Sequence, residues 1–452
     1  MYHQRRKTEM KTIVSAVEKY RDLILSAERY IWDNPETGYK EYKTAKYMAE
    51  EFEKLGYKLT YAEGITGFYT RIDTGREGPE VLILAELDSI ICPQHPEADK
   101  ETGAVHSCGH NAQCAALLGV AAALCDGTLL DGLSGAIRLC AVPAEELLEI
   151  EYRTELKRQG KIKYFGGKSE FLHRGYFDGV DLAFMVHTAT AYGAKLGSVG
   201  CIAKSITYKG KASHAGGAPQ NGVNALYAAS CGLNAINAIR ETFTEADIIR
   251  VHPIITAGGS MVNAIPAEAR LESYIRGKSL EAMKKANYKV NRALIGAALS
   301  IGANIDITDA PGYAPLNNDR RMIELAQDAA DAIIPEESFT FNDIFSSGST
   351  DMGDLSCIMP VIHPYARGAQ GTSHGADYYI ADPEAACVKC AMWQLAMIKL
   401  LLENGAERAK KIVEDFKPEF TKEEFLAYQD ATNTTGNRID YGDGETVTVT
   451  VK

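Results

Sequence analysis

The sequence predicts an α/β fold in which a sheet domain is interrupted by a second, smaller domain. Two observations favour this class. Short apolar segments, typical of strands buried on both faces, alternate with segments of helical periodicity. Near Gly197 this pattern gives way to alternating strands and amphipathic helices, and it returns after Pro311. We therefore expect a discontinuous α/β/α sheet domain at 1–196 and 312–408, an inserted domain at 197–311 and a C-terminal extension at 409–452.

The sheet domain is expected to begin with helices and to continue as strands that alternate with helices. Helical periodicity over 12–55 breaks near Asn34-Pro35-Glu36, and Gly56 fits a helix C-terminal stop. The other predicted elements are strands at 81–85, 136–142, 181–186 and 358–362 and helices at 113–124 and 320–332. In such a sheet the chemistry is expected beyond the strand ends.

The inserted domain shows a different order of elements. The predicted elements are a strand at 202–208, a helix at 221–240, strands at 250–256 and 269–275, a helix at 280–299 and a strand at 304–308. This order, β-α-β-β-α-β, is the split pattern of ferredoxin-like domains. We therefore expect this segment to form a compact domain in itself.

Composition and charge exclude several classes of function. Lys plus Arg is 48 and Asp plus Glu is 60, so the net charge is −12, and no dense basic run is present. A nucleic-acid partner is therefore not expected. The first residues are polar and no continuous apolar stretch follows them, so neither a signal peptide nor a membrane span is predicted. The ten cysteines are scattered through apolar segments, which indicates reduced thiols and the cytoplasm.

Metal-competent side chains follow several of the predicted strands or lie on adjoining loops. They are Glu86 and Asp88; His106, Cys108 and His110; Glu145 and Glu146; His187; and His374. Imidazole, thiolate and carboxylate together suit zinc or another borderline divalent ion. The chain has only 10 histidines among its 452 residues, so four of them in such settings favour a metal site.

Each of these signals also has a simpler interpretation. Cys108 and His110 are also compatible with a buried thiol and a hydrogen-bonded loop histidine, or with a Cys–His nucleophile pair. The nucleophile pair is the least favoured of these interpretations. Glu145-Glu146 alone is typical of the solvated start of a helix. His187 and His374, taken separately, are each typical of a core or loop histidine whose hydrogen bonds are satisfied. After a strand and Pro143-Ala144, however, one carboxylate can ligate a metal while the other accepts a proton from water.

In these motifs the chain resembles the aminoacylase/carboxypeptidase type of co-catalytic metallopeptidases. Within that type it is most similar to the amidohydrolase branch that contains hippurate hydrolase, auxin-conjugate hydrolases and aminobenzoyl-glutamate hydrolase. The resemblance runs from about residue 24 to 400, with the motifs in family order. The motifs that carry it are Asn34-Pro35-Glu36, Ala85-Glu86-Leu87-Asp88, His106-Ser107-Cys108-Gly109-His110-Asn111, Pro143-Ala144-Glu145-Glu146 and Gly348-Ser349-Thr350-Asp351-Met352-Gly353-Asp354.

The resemblance implies a two-metal site in the sheet domain. Its implied ligands of two divalent ions, zinc or manganese, are Cys108, His110, Glu146, His187 and His374, with His110 or a water between the ions. Glu145 is then the general base. Asp88 and Glu86 are implied to orient the ligands from behind, since ligand rings need a fixed tautomer. A strand-end capping carboxylate is the alternative for Asp88.

For the inserted domain the resemblance implies a lid that also forms a homodimer. His214 is implied to stabilise the developing oxyanion, often across a dimer interface. Asn263, Arg276, Gly348 and Ser349 are implied to bind the carboxylate of the substrate, for which the planar fork of arginine is suited. A surface loop histidine and a solvated strand-end charge are the alternatives for His214 and Arg276.

The implied activity is hydrolysis of the amide bond of an N-acyl amino acid or a related carboxylate-bearing amide of the aminobenzoyl-glutamate kind. A dipeptidase on the same scaffold and a non-catalytic binding protein are the alternatives. Three features depart from the family pattern. Gln113 stands where hippurate-hydrolase relatives often carry a histidine, the segment 147–173 is longer and more charged than usual, and residues 409–452 extend past the usual end. We expect the segment 147–173 to form a pocket wall, an interface or a solvated loop.

Overall fold

The computed structural model describes residues 2–443 and 446–452. The chain divides into two compact units. The first unit is Met1–Gly197, Leu316–Phe345 and Thr350–Lys422, and the second is Ser198–Pro315, Ser346–Ser349 and Glu423–Lys452. The extension that was predicted at 409–452 is therefore shared between the two units.

The helices of the described chain are numbered in chain order. They are α1 (Tyr2–Glu18), α2 (Arg21–Trp32), α3 (Tyr42–Lys54), α4 (His110–Leu124), α5 (Ile150–Arg158), α6 (Gly167–His173), α7 (Ala225–Ile239), α8 (Leu280–Ile301), α9 (Arg320–Ile333), α10 (Met352–Ser356), α11 (Cys390–Leu402), α12 (Glu407–Asp415) and α13 (Lys422–Thr432). A π-helical stretch, Glu384–Lys389, leads directly into α11.

The strands are numbered in the same way. They are β1 (Thr60–Tyr61), β2 (Phe68–Asp73), β3 (Glu80–Glu86), β4 (Ile90–Ile91), β5 (Ala104–Val105), β6 (Ala136–Val142), β7 (Leu182–Phe184), β8 (His187–Ala189), β9 (Gly193–Ser198), β10 (Gly200–Lys209), β11 (Arg250–Val251), β12 (Ile254–Ala257), β13 (Glu268–Gly277), β14 (Asn304–Tyr313), β15 (Leu316–Asn317), β16 (Thr340–Ser346), β17 (Val361–Ile362), β18 (Tyr365–Arg367), β19 (Ala369–Gln370), β20 (Tyr379–Ile380), β21 (Ile439–Asp440) and β22 (Thr448–Val449).

The first unit is built on a six-stranded sheet of order β1-β2-β6-β3-β7-β17. The strands β6, β3, β7 and β17 run parallel. Every residue of β3 and β6 is buried, as their mainly apolar sequences predicted, and Arg138 inside β6 forms an ion pair with Glu80 of β3. Helix α4 is also buried along its whole length, because it is apolar on all faces. The mixed α/β class is therefore confirmed, and the carboxyl ends of β3, β6 and β7 meet at one edge.

One stretch of the described chain, Glu384–Leu402, is long and apolar enough to cross a membrane by composition alone. Inside the first unit, 89% of its most apolar window is buried. It packs against α9 and α4. It is therefore a core helix of this unit.

The second unit contains an antiparallel sheet of order β11-β13-β10-β14, with β12 also paired to β13. Helices α7 and α8 pack on each other and on the sheet. Asn224 and Ser279 cap these helices, because each side chain accepts a hydrogen bond from a first-turn N–H. Strands and helices follow one another here in the order that the sequence predicted. Residues of the C-terminal tail add isolated bridges to β14, at Asp306 and Asp309.

Several predicted boundaries differ from the structure for identifiable reasons. The strand predicted at 250–256 is interrupted at His252-Pro253, since proline has no N–H for a ladder. The strand predicted at 304–308 continues through Pro311 to Tyr313, past a register shift at its pairing with β10. The strand predicted at 358–362 is reduced to β17, because α10 and a turn occupy the residues before it.

Candidate metal centre

The loops beyond β3, β6 and β7 bring ligand-type side chains together at one edge of the sheet. Three sets of them have ligand atoms within 4.8 Å of one another: Cys108, His110 and His187; Cys108, Glu146 and His374; and Glu86, His110 and Glu145. All five residues predicted as ligands, and the predicted base, belong to these sets. The structure thus assembles side chains that are far apart in the sequence.

Two histidines turn the same ring nitrogen toward this cluster. The Nδ1 atom of His110 lies 2.9 Å from the backbone oxygen of Asp88, and its Nε2 atom lies 3.1 Å from Oε2 of Glu86. The Nδ1 atom of His187 lies 2.8 Å from the backbone oxygen of Thr188, and its Nε2 atom lies 3.4 Å from Sγ of Cys108. Because Nδ1–H donates to a carbonyl in both rings, Nε2 is the atom of each ring that is left to bind a metal ion, which it does after losing any proton it carries.

His374 reaches the cluster from a loop between β19 and β20. Its Nε2 atom lies 3.0 Å from Oε1 of Glu146. Its φ angle is +63°, a conformation that is uncommon outside glycine, and its N–H donates to the backbone oxygen of Ser107. The histidine side chain is half exposed, at 50%. The cluster is therefore open to solvent on the His374 side.

Cys108 is in the charge state that a metal ligand requires. Burial opposes its ionisation, but the neighbouring His110 and His187 outweigh burial and lower the pKa of the thiol to about 6. A thiolate, not a thiol, binds metal ions. Hydrogen bonds to Cys108 and Glu146 also raise the pKa of His374 to about 11. Anionic side chains are thus concentrated in this cluster, and bound divalent cations would neutralise their charge.

Several buried atoms of the cluster also fit a metal. The Nε2 atom of His110 and Oε1 of Glu146 are buried, and their close polar contacts are to other ligand-type side chains of the cluster, Glu86 and His374. Buried polar atoms need partners, and a metal ion bound among these side chains would be one. Nitrogen, sulfur and carboxylate oxygen together form the donor set of zinc-type sites. The residues present therefore fit divalent ions.

Glu145 lies on a tightly held turn. Burial and the nearby carboxylates of Glu86 and Glu146 raise its pKa well above the usual range. The preceding residue, Ala144, has a φ angle of +56°, and its N–H donates to Oε1 of Glu41 at 2.8 Å. The N–H of Glu146 donates to the Asp88 carboxylate at 2.8 Å. Two buried carboxylates thus fix the backbone on both sides of Glu145.

Asp88 contacts two of the predicted ligands at once. Its backbone oxygen accepts from His110, its Oδ1 atom lies 3.3 Å from the same ring, and its Oδ2 atom accepts from Glu146. Both contacts of Asp88 are therefore to residues predicted as ligands. A carboxylate that only caps a strand end, which was the alternative, would not need them.

Several buried polar residues that touch the cluster carried no signal in the sequence. Glu41 holds Ala144, and Arg153 donates to the backbone oxygen of Glu146. Lys168 forms ion pairs with Glu86 and Asp351. These side chains lie in polar, charged stretches typical of surface helices. His363 was also missed, although its position just after the predicted strand at 358–362 is the kind of signal that identified His187; its ring lies 5.6 Å from that of His187.

The residues predicted to stabilise the oxyanion and to bind substrate lie in the second unit. The Nδ1 atom of His214 accepts from the N–H groups of Gly216 and Gly217, at 3.2 and 2.8 Å, so the ring proton is on Nε2. Asn263 is exposed, and its backbone oxygen accepts from Ala215, the neighbour of His214. The structure therefore brings Asn263 close to the His214 loop.

Arg276 is brought together with the segment 346–349 of the same unit. Its Nη1 atom donates to Oγ of Ser349 at 2.9 Å and to the backbone oxygen of Ser347 at 3.4 Å. Gly348 lies between these two partners in the chain. Three of the four residues predicted to bind the carboxylate therefore share one neighbourhood.

Known proteins resemble this chain over most of its length. The Xaa-Arg dipeptidase of Homo sapiens is 28% identical over 431 residues, which cover 91% of this chain and 92% of that protein. The N-acetyl-L-cysteine deacetylase of Bacillus subtilis (strain 168) is 27% identical over 337 residues, which cover 70% of this chain and 73% of the relative. A p-aminobenzoyl-glutamate hydrolase component of Escherichia coli (strain K12) is 26% identical over 328 residues, which cover 60% of this chain and 70% of the relative.

Among solved structures, a dinuclear metal binding peptidase of the M20 family from Bacillus subtilis matches with a TM-score of 0.64 at 21% identity, over 85% of this chain and 99% of its own. The aminobenzoyl-glutamate utilization protein from Klebsiella pneumoniae matches with a TM-score of 0.62 at 19% identity, over 84% and 96%. These two likenesses show the fold.

The model of peptidase family M20/M25/M40 matches residues 83–399, which include all three sets of ligand-type side chains. The match covers more than half of the chain, and the related proteins of known name act on amide or peptide bonds. The chain therefore belongs to peptidase family M20/M25/M40 and is a hydrolytic, metal-dependent amidohydrolase or peptidase.

Proposed function

We propose that this enzyme uses two divalent ions to hydrolyse an amide bond next to a free carboxylate, in an N-acyl amino acid or a related amide of the aminobenzoyl-glutamate kind. The observation that carries the proposal is the convergence of a thiol, three imidazoles and two adjacent carboxylates on one edge of the sheet. A binding protein without activity would not need Glu145 held beside such a cluster.

The two ligand sets that contain Cys108 suggest how the ions are held. One ion takes His110 and His187, and the other takes Glu146 and His374. Cys108 belongs to both sets, so we assign it as the shared ligand in place of His110. Zinc fits the thiolate and imidazole donors best, and manganese is the alternative.

Bound divalent ions supply Lewis acidity, which lowers the pKa of a water and polarises a carbonyl. Glu145 accepts the proton of the attacking water and returns it to the leaving amine. Burial and neighbouring carboxylates raise the pKa of Glu145, and divalent cations held by the adjacent ligands would lower it again, so that the ionised form could accept the proton. His214, with its proton fixed on Nε2, donates a hydrogen bond to the developing oxyanion.

The second unit is proposed to act as the lid and the dimerisation domain. Strand β12 lies outside β13 in its sheet and exposes Ile254 and Ile255 at 60% and 41%, and Tyr227 of α7 is 64% exposed. Exposed apolar side chains on an edge strand favour pairing with another chain. Sedimentation of the intact enzyme is expected to give twice the mass of one chain, and a monomer at micromolar concentration would contradict this part of the proposal.

Arg276 is expected to recognise the carboxylate of the substrate. Replacing Arg276 with methionine should lower kcat/KM by about 10- to 100-fold, mainly through KM, because a hydrogen bond to a charged group contributes roughly 1.5–3 kcal/mol. The measurement is steady-state kinetics on one amide in two forms, with a free carboxylate and with a carboxamide. Hydrolysis of the carboxamide form should be hardly affected by this substitution. An equal loss for both forms would show that Arg276 does not recognise the carboxylate.

The second candidate is a dipeptidase, which is favoured by the similarity to Xaa-Arg dipeptidase over 91% of this chain. The two candidates differ in whether the acyl half carries a free amine. One dipeptide assayed with a free and with an acetylated amino terminus separates them. Preference for the acetylated form supports the N-acyl proposal, and preference for the free amine supports the dipeptidase.

A further inference from the structure

The segment 147–173 is neither a solvated loop nor only a pocket wall. Its helices α5 and α6 contribute two cationic side chains to the interior of the first unit: Arg153 is 1% exposed and Lys168 is 0% exposed. Fully buried lysines are rare unless they are paired. The surroundings of Lys168 therefore indicate what this segment does.

The ammonium of Lys168 joins two buried carboxylates. Its Nζ atom lies 2.5 Å from Oε1 of Glu86 and also forms an ion pair with Asp351. The other oxygen of Glu86, Oε2, accepts from Nε2 of Gln113 at 2.9 Å. That same Oε2 atom lies 3.1 Å from Nε2 of His110, the nitrogen that faces the metal centre. Glu86 is thus held on both oxygens beside a ligand.

Glu86 is close enough to become a ligand itself. Its carboxylate, His110 and Glu145 form one of the three sets whose atoms lie within 4.8 Å of one another. An added carboxylate would fill the coordination position that a catalytic site keeps open for water. A carboxylate that is paired with an ammonium and an amide N–H is fixed in orientation and donates less charge elsewhere.

We infer that Lys168 and Gln113 are positioning residues, which hold Glu86 beside His110 but prevent it from binding the ion as an additional ligand. The inference rests on the proposed two-metal function. It also gives a role to Gln113, the position at which the sequence departs from hippurate-hydrolase relatives. The segment 147–173 then supplies the cation on which the open coordination position depends.

The second unit contains a matched control for the loss of a buried lysine. The side chain of Lys204 is also 0% exposed and forms an ion pair with the Asp309 side chain, which is 3% exposed, and neither residue belongs to the unit that carries the predicted ligands. Lys204→Met removes a buried ammonium from a buried carboxylate, as Lys168→Met does, although Asp309 keeps its hydrogen bonds from Asn287 and Asn291. The two substitutions should therefore cost comparable stability, and only Lys168→Met should change the metal centre.

The experiment is titration of the metal-free protein with Co²⁺, followed by visible absorption, on the wild type, Lys168→Met, Glu86→Gln, the double variant and Lys204→Met. Cobalt bands weaken when the coordination number rises. We expect weaker bands for Lys168→Met, wild-type intensity for the double variant and for Lys204→Met, and unchanged bands for Glu86→Gln. In kinetics Lys168→Met should lower kcat roughly 10- to 100-fold with little change in KM.

Three results would overturn the inference: unchanged bands in Lys168→Met, the same change in Lys204→Met, or weakened or shifted bands in Glu86→Gln, which would make Glu86 a ligand already. If Lys168→Met does not fold, Gln113→Leu takes its place, because it removes the hydrogen bond that holds Oε2 of Glu86: weaker bands are expected, and unchanged bands would overturn the inference. Wild-type protein that binds no cobalt would contradict the two-metal proposal itself, whereas two ions with identical spectra in every variant would contradict only the inference about Lys168.

Discussion

Glu145→Gln is expected to abolish hydrolysis while each chain still binds two metal ions. Glutamine is nearly isosteric with glutamate but cannot accept the proton of the attacking water. General acid–base catalysis contributes about 10²- to 10⁴-fold, so kcat should fall by that factor or more. The backbone contacts on either side, from Ala144 to Glu41 and from Glu146 to Asp88, do not involve the substituted group. The variant should therefore keep its fold.

The matched control is the neighbouring position. Glu146→Gln removes a side chain from the set with Cys108 and His374, so it should lower the metal content as well as the activity. Metal content is measured by elemental analysis after gel filtration, alongside kcat. If Glu145→Gln retained more than a small fraction of the wild-type kcat, a different group would have to accept the proton.

Cys108→Ala is expected to remove metal from both positions, because Cys108 is common to two of the ligand sets. Loss of a residue that hydrogen-bonds to a metal ligand lowers the metal affinity about 10- to 100-fold, and loss of a shared ligand should lower it more than about 100-fold. Competition with a chelator of known affinity measures this loss. Activity should fall in parallel and should return only partly with excess metal.

Alkylation and chelation of the wild-type enzyme separate a metal enzyme from a cysteine hydrolase. A nucleophilic Cys108 would make the enzyme sensitive to alkylation and indifferent to chelator. The two-metal proposal requires chelator to abolish turnover and added metal to restore it. Cys140→Ala is the control, since Cys140 is also fully buried, on β6, but belongs to none of the ligand sets. If it lost as much metal as Cys108→Ala, the effect would be one of stability.

The elements that position the site could be predicted because their sequences are locally unambiguous. The mainly apolar segments of β3 and β6 are short, which favours strands buried on both faces over a helix, and the polar residues that follow parallel strands meet at the sheet edge. The convergence of Glu86, Glu145 and His110 follows from that parallel arrangement. The metal-binding chemistry of this cluster was predictable from the types of its residues.

The supports behind the ligands could not be predicted in this way. Lys168 and Arg153 lie in a segment whose charge pattern is typical of a solvated helix, and Glu41 lies in a similar stretch. Lys168 and Arg153 are buried because they donate to distant carboxylates and carbonyls, and Glu41 is buried because it accepts from Ala144 and Thr66; these contacts exist only in the folded chain. The local sequence pattern therefore does not indicate that these side chains are buried. The continuation of β14 through Pro311 was missed for a different reason, since proline usually ends a strand.

The most direct test of the two-metal site is a crystal structure of the zinc-loaded enzyme, with diffraction measured on both sides of the zinc absorption edge. The proposal predicts two anomalous peaks that both contact Sγ of Cys108, one also bound by His110 and His187 and the other by Glu146 and His374. A single peak, or peaks bound by other residues, would contradict the assignment of these side chains as the ligands.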